Sequence, residues 1–278
     1  MTRASANTPI PAAIAHAQGQ ARYSSLEDPQ QTVGISALAA EVALSIAYNG
    51  LSHSVMMVSP LDLEDFVVGF TLTAGLAESP DDLYDVQIEG EGEARRAEVN
   101  LSNRAFWQLK QQRRQLAGNS GCGLCGVEAL EQALPELQSL PAGSLPRAEW
   151  FEGLRQRIGE FQVLGRHCGA VHAALFMDGE GTLRLGREDI GRHNALDKLI
   201  GALVRQKLDA SAGIAIVTSR CSLELIHKVV RAGIPTLVSL SAPTALAVQW
   251  AQRHALNLIH LPQHSPPRVY SAARLARG

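Results

Sequence analysis

Apolar and polar residues alternate regularly over residues 41–58, which read EVALSIAYNGLSHSVMMV. The Asn-Gly pair in the middle of this stretch favours a tight turn between two antiparallel strands. Ser59 and Pro60 follow as an N-cap and a first-turn proline, ahead of apolar residues at helical spacing. The pattern therefore predicts a β-hairpin and then a helix from about Pro60 to Gly75.

Two further strands are predicted over residues 84–102, on either side of a glycine-rich, charged stretch. A helix from Arg104 to Arg114 follows them. Together these elements make a small α+β unit over residues 31–117. Residues 1–30 are rich in Ala, Ser, Pro and Gln, and we expect a flexible tail there.

A different architecture begins after a Pro/Gly/Ser stretch at residues 141–146 and occupies residues 147–278. The predicted order is strand His172–Met177 with a partner at Thr182–Leu185, a helix, strand Ile214–Thr218, helix Ser222–Ala232, strand Thr236–Leu240, helix Pro243–His254 and strand Leu256–His260. Such alternation requires parallel neighbouring strands, and ligands bind these sheets at the carboxyl ends of the strands. The fold class is therefore α/β, with a smaller N-terminal α+β unit.

Composition and charge exclude several classes of protein. The net charge of -2 and the pI near 6.5 offer nucleic acid and anionic lipid no general attraction. No run approaches the roughly 20 apolar residues of a membrane helix. The N-terminal residues also lack the apolar core of a signal peptide. We therefore expect a cytoplasmic protein that binds neither nucleic acid nor membrane.

The sharpest chemical feature is a pair of thiols, Cys122 and Cys125, in a glycine-rich loop. This loop and a helix predicted from Val127 to Leu137 make up the segment of residues 118–140. Because the thiols lie at the start of a helix, its dipole and exposed N–H groups favour their thiolates. A mobile, reactive thiolate is what persulfide-based sulfur transfer requires.

The spacing of the two thiols leaves a metal site open as an alternative, besides incidental cysteines. A four-ligand zinc site needs a second ligand pair, and the nearest candidates, His167, Cys168 and His172, follow no standard spacing. The His-x-Glu and Pro-Cys-x-x-Cys motifs of zinc deaminases are absent from the sequence. Sulfur chemistry is therefore preferred to a metal site.

Two arginines predict an anion site at the edge of the parallel sheet. Arg192 lies in the stretch of residues 186–194, GREDIGRHN, which precedes a helix, and Arg220 follows a predicted parallel strand. Arginine forks and helix N–H groups bind phosphate-like anions, and the two loops should converge on one edge. The alternative is a solvated turn with Arg/Asp pairs. His172, Cys168 and Cys221 are interpreted as structural residues.

Four long motifs in this order resemble the FdhD family of formate dehydrogenase accessory sulfurtransferases. They are YNGLSHSVMMVSPLDLEDFVVGF in the N-terminal unit, SGCGLCG in the loop, EDIGRHNALDKLIG before the first helix of the α/β domain, and SAPTALAVQWA near the end. The resemblance covers the chain from about Glu41 to Tyr270. It implies a cytidine-deaminase-like α/β core, a mixed sheet with flanking helices but without the catalytic zinc, in a homodimer.

The resemblance also implies a function. Sulfur would pass from a cysteine desulfurase to the Mo-bis(molybdopterin guanine dinucleotide) cofactor, and formate dehydrogenase would receive the active cofactor. By position, Cys122 corresponds to the family's persulfide-bearing cysteine, and Cys125 to its partner for relay or resolution. The alternative is a non-catalytic carrier of the molybdenum cofactor.

The family's cofactor-contacting segment falls on six consecutive residues of this chain, Leu261, Pro262, Gln263, His264, Ser265 and Pro266. This chain departs from the family there, because relatives usually carry arginines and glycine in the segment. Arg268 or His264 would then supply a basic contact. Arg192 and Arg220 would hold the phosphates of the guanine nucleotide at the sheet edge.

Overall fold

The computed structural model describes residues 12–26, 32–118 and 134–273. The helices within these ranges are α1 (Leu63–Thr73), α2 (Asn103–Gly118), α3 (Leu154–Phe161), α4 (Val163–Cys168), α5 (Arg192–Arg205), α6 (Leu223–Arg231) and α7 (Ala245–Arg253). The strands are β1 (Gln18–Ser24), β2 (Thr32–Ala39), β3 (Val42–Tyr48), β4 (Leu51–Val58), β5 (Leu83–Glu89), β6 (Ala94–Leu101), β7 (His172–Met177), β8 (Leu183–Asp189), β9 (Ile214–Val217), β10 (Thr236–Ser239), β11 (Asn257–His260) and β12 (Arg268–Ser271). They form sheets of two, four and six strands.

The four-stranded sheet has the order β4-β3-β6-β5 and contains the predicted hairpin. Asn49 and Gly50 have φ angles of 47° and 79°, the left-handed conformation that a type I′ turn requires at both central positions. Helix α1 covers one face of this sheet, where Phe66 joins Ile46 and Val99 in a common apolar core. The hairpin and the α+β character of this unit are therefore confirmed.

The start of α1 differs from the prediction. The helix begins at Leu63 rather than Pro60, because Asp62 has a φ of 52° and interrupts the helical backbone. Ser59 does not cap the helix. Its backbone N–H donates to the Asp189 carboxylate, and its hydroxyl accepts a hydrogen bond from the N–H of Ile190. A long-range contact has thus replaced the local cap that the sequence predicts.

The six-stranded sheet has the order β12-β11-β10-β9-β7-β8. Strands β9, β10 and β11 are parallel, as their alternation with helices predicts. β7 pairs antiparallel with both β8 and β9, and β12 is antiparallel to β11. The sheet is therefore mixed, which confirms the predicted fold class of a mixed sheet with flanking helices and a smaller N-terminal α+β unit.

Helices cover both faces of this sheet. Alternate residues of β7 show the arrangement, because Ala174 and Phe176 pack against α5, α6 and α7, whereas Ala173 and Leu175 pack against α3. Each face has its own apolar core. The three layers hold the carboxyl ends of β9, β10 and β11 in fixed positions at one edge of the sheet.

Helices α1 and α5 join the two sheets by crossing in backbone contact. A Cβ atom on Gly69 would lie 1.8 Å from the Asp197 carbonyl oxygen, and one on Gly201 would lie 1.8 Å from the Asp65 carbonyl oxygen. Only glycine at both positions permits this approach. Helix α1 therefore packs both on the four-stranded sheet and on the helical layer of the six-stranded sheet.

The described part of the expected N-terminal tail has regular structure. Residues 12–17 form a short 3-10 helix, and β1 pairs antiparallel with β2 to form a two-stranded ribbon. Ile14 and Ala17 are buried beside Leu164 of α4. The tail prediction therefore fails for residues 12–26, because the partners of this segment lie elsewhere in the chain and leave no local signal.

The segment after the glycine-rich loop also differs from its prediction. A helix is predicted from Val127 to Leu137, but residues 134–137 are not helical, and residues 127–133 lie outside the described ranges. The stretch of residues 141–146, predicted to be a linker, packs against the domain, since the Asn257 amide donates to the Ser144 carbonyl. The domain division at residues 31, 118 and 147 stays a prediction.

No helix in the part of the chain that the structure describes is long and apolar enough to cross a membrane.

Candidate functional site

The carboxyl ends of β9 and β10 lie at one edge of the six-stranded sheet, and their loops are tied to each other. Cys221 and Pro243 form a parallel bridge between the two loops, and the Thr244 N–H donates to the Cys221 carbonyl at 3.1 Å. The loop after β9 is also fixed to β7, because the Thr218 hydroxyl accepts a hydrogen bond from the Ala173 N–H. These loops lead into the N-termini of α6 and α7.

Arg192 and Arg220 both lie at this edge, as predicted, and neither forms an ion pair within the described ranges. Arg192 is the first residue of α5. Its Nε atom is shielded from solvent and has no hydrogen-bond partner among the described residues. Arg220 is exposed in the loop after β9. Guanidinium groups without protein partners, beside the N-terminus of a helix, favour an anionic ligand.

Arg187, the other arginine of the stretch before α5, has a structural role. Its Nε donates to Asp65 of α1 at 2.8 Å, and Arg205 binds the other oxygen of the same carboxylate at 2.6 Å. The interpretation of this stretch as a turn with Arg/Asp pairs is therefore correct for Arg187. It is not correct for Arg192, which forms no ion pair with any residue that the structure describes.

A buried carboxylate fixes the turn that presents Arg192. Asp189 accepts hydrogen bonds from the N–H of Gly191 at 2.8 Å and from the Asn194 side chain at 2.9 Å. Lys198, one helical turn beyond Asn194, places its Nζ 2.6 Å from the same carboxylate, and neither side chain of this pair is exposed to solvent. The first turn of α5 therefore has a defined position at the sheet edge.

The structure brings together His193 and Glu224, for which the sequence alone indicates no role. His193 Nε2 lies 3.1 Å from a carboxylate oxygen of Glu224 and 3.5 Å from the Ser222 hydroxyl. Burial lowers the pKa of His193 to about 4, and the neighbouring cations Arg192 and Lys228 act in the same direction. The ring is therefore neutral at pH 7, and its Nε2 atom lies close to both the Glu224 carboxylate and the Ser222 hydroxyl.

The predicted cofactor segment follows β11 at the same edge. Leu261 is buried, and its carbonyl accepts a hydrogen bond from Arg155 of α3 at 2.6 Å. The same guanidinium binds the Leu240 carbonyl at the end of β10 at 3.2 Å. Pro262 is partly buried, and the remaining four residues of the segment, Gln263, His264, Ser265 and Pro266, are exposed. Because β9 and β11 are two strands apart, the strand ends from which the segment and the Arg220 loop start are about 10 Å apart.

The two basic side chains suggested for this segment have different surroundings. Arg268 is exposed and donates to the Ser265 hydroxyl at 3.3 Å. His264 is exposed, and no hydrogen bond of its side chain is present among the described residues. The structure therefore brings the segment, Arg192 and Arg220 to one edge of the sheet, with Arg220 and four residues of the segment exposed and Arg192 partly buried.

Cys122 and Cys125 lie outside the described residues, which end at Gly118 and resume at Leu134. The two other thiols have structural environments. Cys221 is fully buried, and burial raises its pKa to about 12. Cys168 is partly buried and donates to the Gln18 side chain at 3.4 Å, and burial also raises its pKa. Neither is a reactive thiolate at pH 7, in agreement with their structural interpretation.

The architecture is similar to that of a solved protein. A crystal structure titled as a formate dehydrogenase accessory protein, from Desulfotalea psychrophila, matches with a TM-score of 0.68 over 92% of this chain and 96% of that one. The two sequences are 22% identical, so this likeness defines the fold alone. The protein is therefore of the same structural class, a mixed α/β domain joined to a smaller α+β unit.

The sequence defines the family. Residues 39–276 match the model of the FdhD/NarQ family. Proteins called sulfur carrier protein FdhD are 42% identical over 235 residues in Bordetella petrii (84% of each chain), 40% over 250 residues in Cupriavidus necator (86% of this chain, 85% of that one) and 43% over 240 residues in Xanthomonas campestris (84% and 83%). The chain belongs to the FdhD/NarQ family, which confirms the resemblance of its motifs.

Proposed function

We propose that this protein is a sulfurtransferase that carries sulfur as a persulfide on Cys122. It receives the sulfur from a cysteine desulfurase and transfers it to the Mo-bis(molybdopterin guanine dinucleotide) cofactor that formate dehydrogenase requires. The observation that carries the proposal is the family match, which spans residues 39–276 and so includes both thiols of the loop. The relatives named above are called sulfur carriers, which supports the same role here.

The chemistry of the loop needs two balanced steps. The Cys122 thiolate attacks the terminal sulfur of the desulfurase persulfide, which leaves a thiolate on the desulfurase and a persulfide on Cys122. In the resolving step, the Cys125 thiolate attacks the Cys122 sulfur and forms a disulfide, and the terminal sulfur leaves for the acceptor as hydrosulfide, with both electrons of the broken bond and one proton. A cellular dithiol then reduces the disulfide and restores both thiols for the next cycle. The buried environments of Cys168 and Cys221 support the assignment of this chemistry to the loop.

The cofactor that accepts the sulfur binds at the carboxyl edge of the six-stranded sheet. Arg192 and Arg220 bind the phosphates of the guanine nucleotide, and the segment from Leu261 to Pro266 contacts the cofactor beside them. The unpartnered Nε of Arg192 and the exposure of Arg220 support this assignment. The protein acts as a homodimer in the cytoplasm, where cysteine desulfurase and unassembled formate dehydrogenase are its partners.

Persulfide loading tests the sulfur-carrying role directly. The full chain is incubated with a cysteine desulfurase and cysteine, and its intact mass is measured before and after reduction. The wild-type protein should gain one sulfur that reductant removes, and Cys122→Ala should not. Cys168→Ala is the matched control and should load normally. The same gain in the double variant Cys122→Ala/Cys125→Ala would refute the proposal.

Two further measurements separate the alternatives left by the sequence. Cells that lack their own carrier are supplied with Cys122→Ser, and formate dehydrogenase activity should be lost. Activity that survives would instead identify a cofactor carrier without sulfur chemistry. Zinc analysis of the purified protein should find no stoichiometric metal, because the thiols must stay free to react. Zinc that is lost in Cys122→Ala would establish a metal site in the loop.

A further inference from the structure

Glu224 is a carboxylate that the protein orients but does not neutralise. It lies in the first turn of α6, with 57% of its side chain exposed, in the same loop region as Arg220. One of its oxygens binds the neutral ring of His193, and no Arg or Lys among the described residues forms an ion pair with it. Lys228, one turn further along α6, is already held by both oxygens of Asp197 at 2.9 Å.

The contact with His193 gives this carboxylate a defined direction. His193 belongs to the first turn of α5, whose position is fixed by the hydrogen bonds of Asp189. Its Nε2 atom lies 3.1 Å from one Glu224 oxygen, and burial, helped by the neighbouring cations, lowers the pKa of the ring to about 4 and keeps it neutral. One Glu224 oxygen therefore lies against the His193 ring, and the other has no hydrogen-bond partner within the described ranges. A carboxylate in this state accepts two adjacent hydrogen bonds from a ligand.

Guanine is the nucleobase whose donors fit such a carboxylate. Its N1–H and its exocyclic N2 amino group are adjacent donors, and one carboxylate accepts both in charge-assisted hydrogen bonds. Cytosine and adenine have no such pair of donors, and xanthine has a carbonyl oxygen in place of the amino group. The unpaired cations Arg192 and Arg220 attract the phosphates of the same nucleotide, while the negative charge of Glu224 repels them. A bound nucleotide would therefore place its phosphates near the two arginines and its base near Glu224.

On the basis of the proposed function, we infer that Glu224, oriented by His193, recognises the guanine base of the cofactor's nucleotide at the carboxyl edge of the six-stranded sheet. Glu224 is then the specificity-determining residue for a guanine over a cytosine nucleotide. His193 is a positioning residue that acts through Glu224. Arg192 and Arg220 contribute affinity for the phosphates without distinguishing the bases.

The test compares the binding of GDP, CDP and xanthosine diphosphate to the full chain by calorimetry. The wild-type protein should prefer GDP to both of the others. Glu224→Gln should weaken GDP binding about 10- to 100-fold, because charged hydrogen bonds are lost. It should also strengthen binding of xanthosine diphosphate, because the amide NH₂ can donate to the xanthine carbonyl. This gain shows at the same time that the variant is folded. Glu160→Gln, on the exposed surface of α3, is the matched control and should change neither affinity.

The positioning role of His193 has its own readout. His193→Phe removes the donor to Glu224 and should reduce the ratio of GDP to xanthosine diphosphate affinity, whereas His193→Gln, which keeps a donor, should restore part of it. A general loss of structure would lower both affinities together and leave the ratio unchanged. If the wild-type protein binds GDP and Glu224→Gln leaves its selectivity unchanged, the inference is overturned and the proposed function stands. If the wild-type protein binds no GDP, the proposed cofactor site fails as well.

Discussion

Two regions of this protein differ in whether their positively charged side chains form ion pairs. Between α1, α5 and α6, the buried cations Lys198 and Lys228 lie 2.6 Å and 2.9 Å from the carboxylates of Asp189 and Asp197. At the carboxyl edge of the six-stranded sheet, Arg192 and Arg220 have no carboxylate partner within the described part of the chain. The two interior lysines therefore have carboxylate partners, and the two arginines at the edge have none among the described residues.

The presence or absence of a partner within the protein distinguishes charges that stabilise the fold from charges that are available to a ligand. A buried charge is tolerated when an opposite charge and further hydrogen bonds compensate it, as they do for Lys198, whose Nζ also donates to the Ser59 carbonyl at 2.9 Å. A cation that the protein leaves unpaired at an accessible edge can take its partner from outside. We therefore expect the paired region to determine stability and the unpaired region to take part in binding.

The largest effect is expected from breaking a pair in the interior. Lys198→Met removes the buried cation and leaves the Asp189 carboxylate without its counter-ion. We expect the free energy of unfolding to fall by about 3–5 kcal/mol, the usual result when one partner of a buried pair is removed. Urea denaturation followed by circular dichroism measures it. Arg96→Met, which breaks the exposed pair with Glu98 at 3.3 Å, is the control and should cost less than about 1 kcal/mol. Equal losses of unfolding free energy in the two variants would show that the buried pair stabilises the fold no more than the exposed pair does.

Local patterns in the sequence predict much of this fold. Asn49-Gly50 alone indicates the β3–β4 hairpin, because both residues accept the left-handed conformation of the turn. The alternating strands and helices after residue 213 predict the parallel part of the six-stranded sheet, and with it the edge where Arg192 and Arg220 lie. In these cases the residues that determine the structure are neighbours in the chain.

Long-range contacts account for what the sequence did not predict. Ser59 has the residue type of a helix cap, but its partners lie on Asp189 and Ile190, far along the chain. His193 and Glu224 lie on different helices, so no single motif contains the pair. Strand β1 is a similar case, since its sequence, QGQARYS, has little strand preference of its own and depends on pairing with β2.

A smaller effect is expected from pH, through His193 at the boundary of the two regions. The pKa of His193 is lowered from 6.5 to about 4 in the folded protein. Between these values the unfolded chain binds a proton that the folded protein does not, so stability falls as the pH falls through this window. His193→Gln should therefore lose about 2 kcal/mol less than the wild-type protein between pH 7 and pH 4. Urea midpoints at both pH values measure this difference, and equal losses would show that His193 is not the group responsible.

The smallest effect on stability is expected at Arg192, which can be compared directly with the paired Arg187 in the same stretch of chain. Arg192→Gln removes a cation that has no ion-pair partner among the described residues, so the free energy of unfolding should change by less than about 0.5 kcal/mol. Arg187→Gln, its matched control five residues earlier, breaks the contact with the buried carboxylate of Asp65 and should cost more. Nucleotide binding should change in the opposite order, because Arg192→Gln loses a phosphate contact worth about 10-fold in affinity, whereas Arg187 lies in a structural pair. If Arg192→Gln instead destabilises the fold as much as Arg187→Gln and leaves the affinity unchanged, Arg192 belongs to the framework, and unpaired charge does not mark the binding site of this protein.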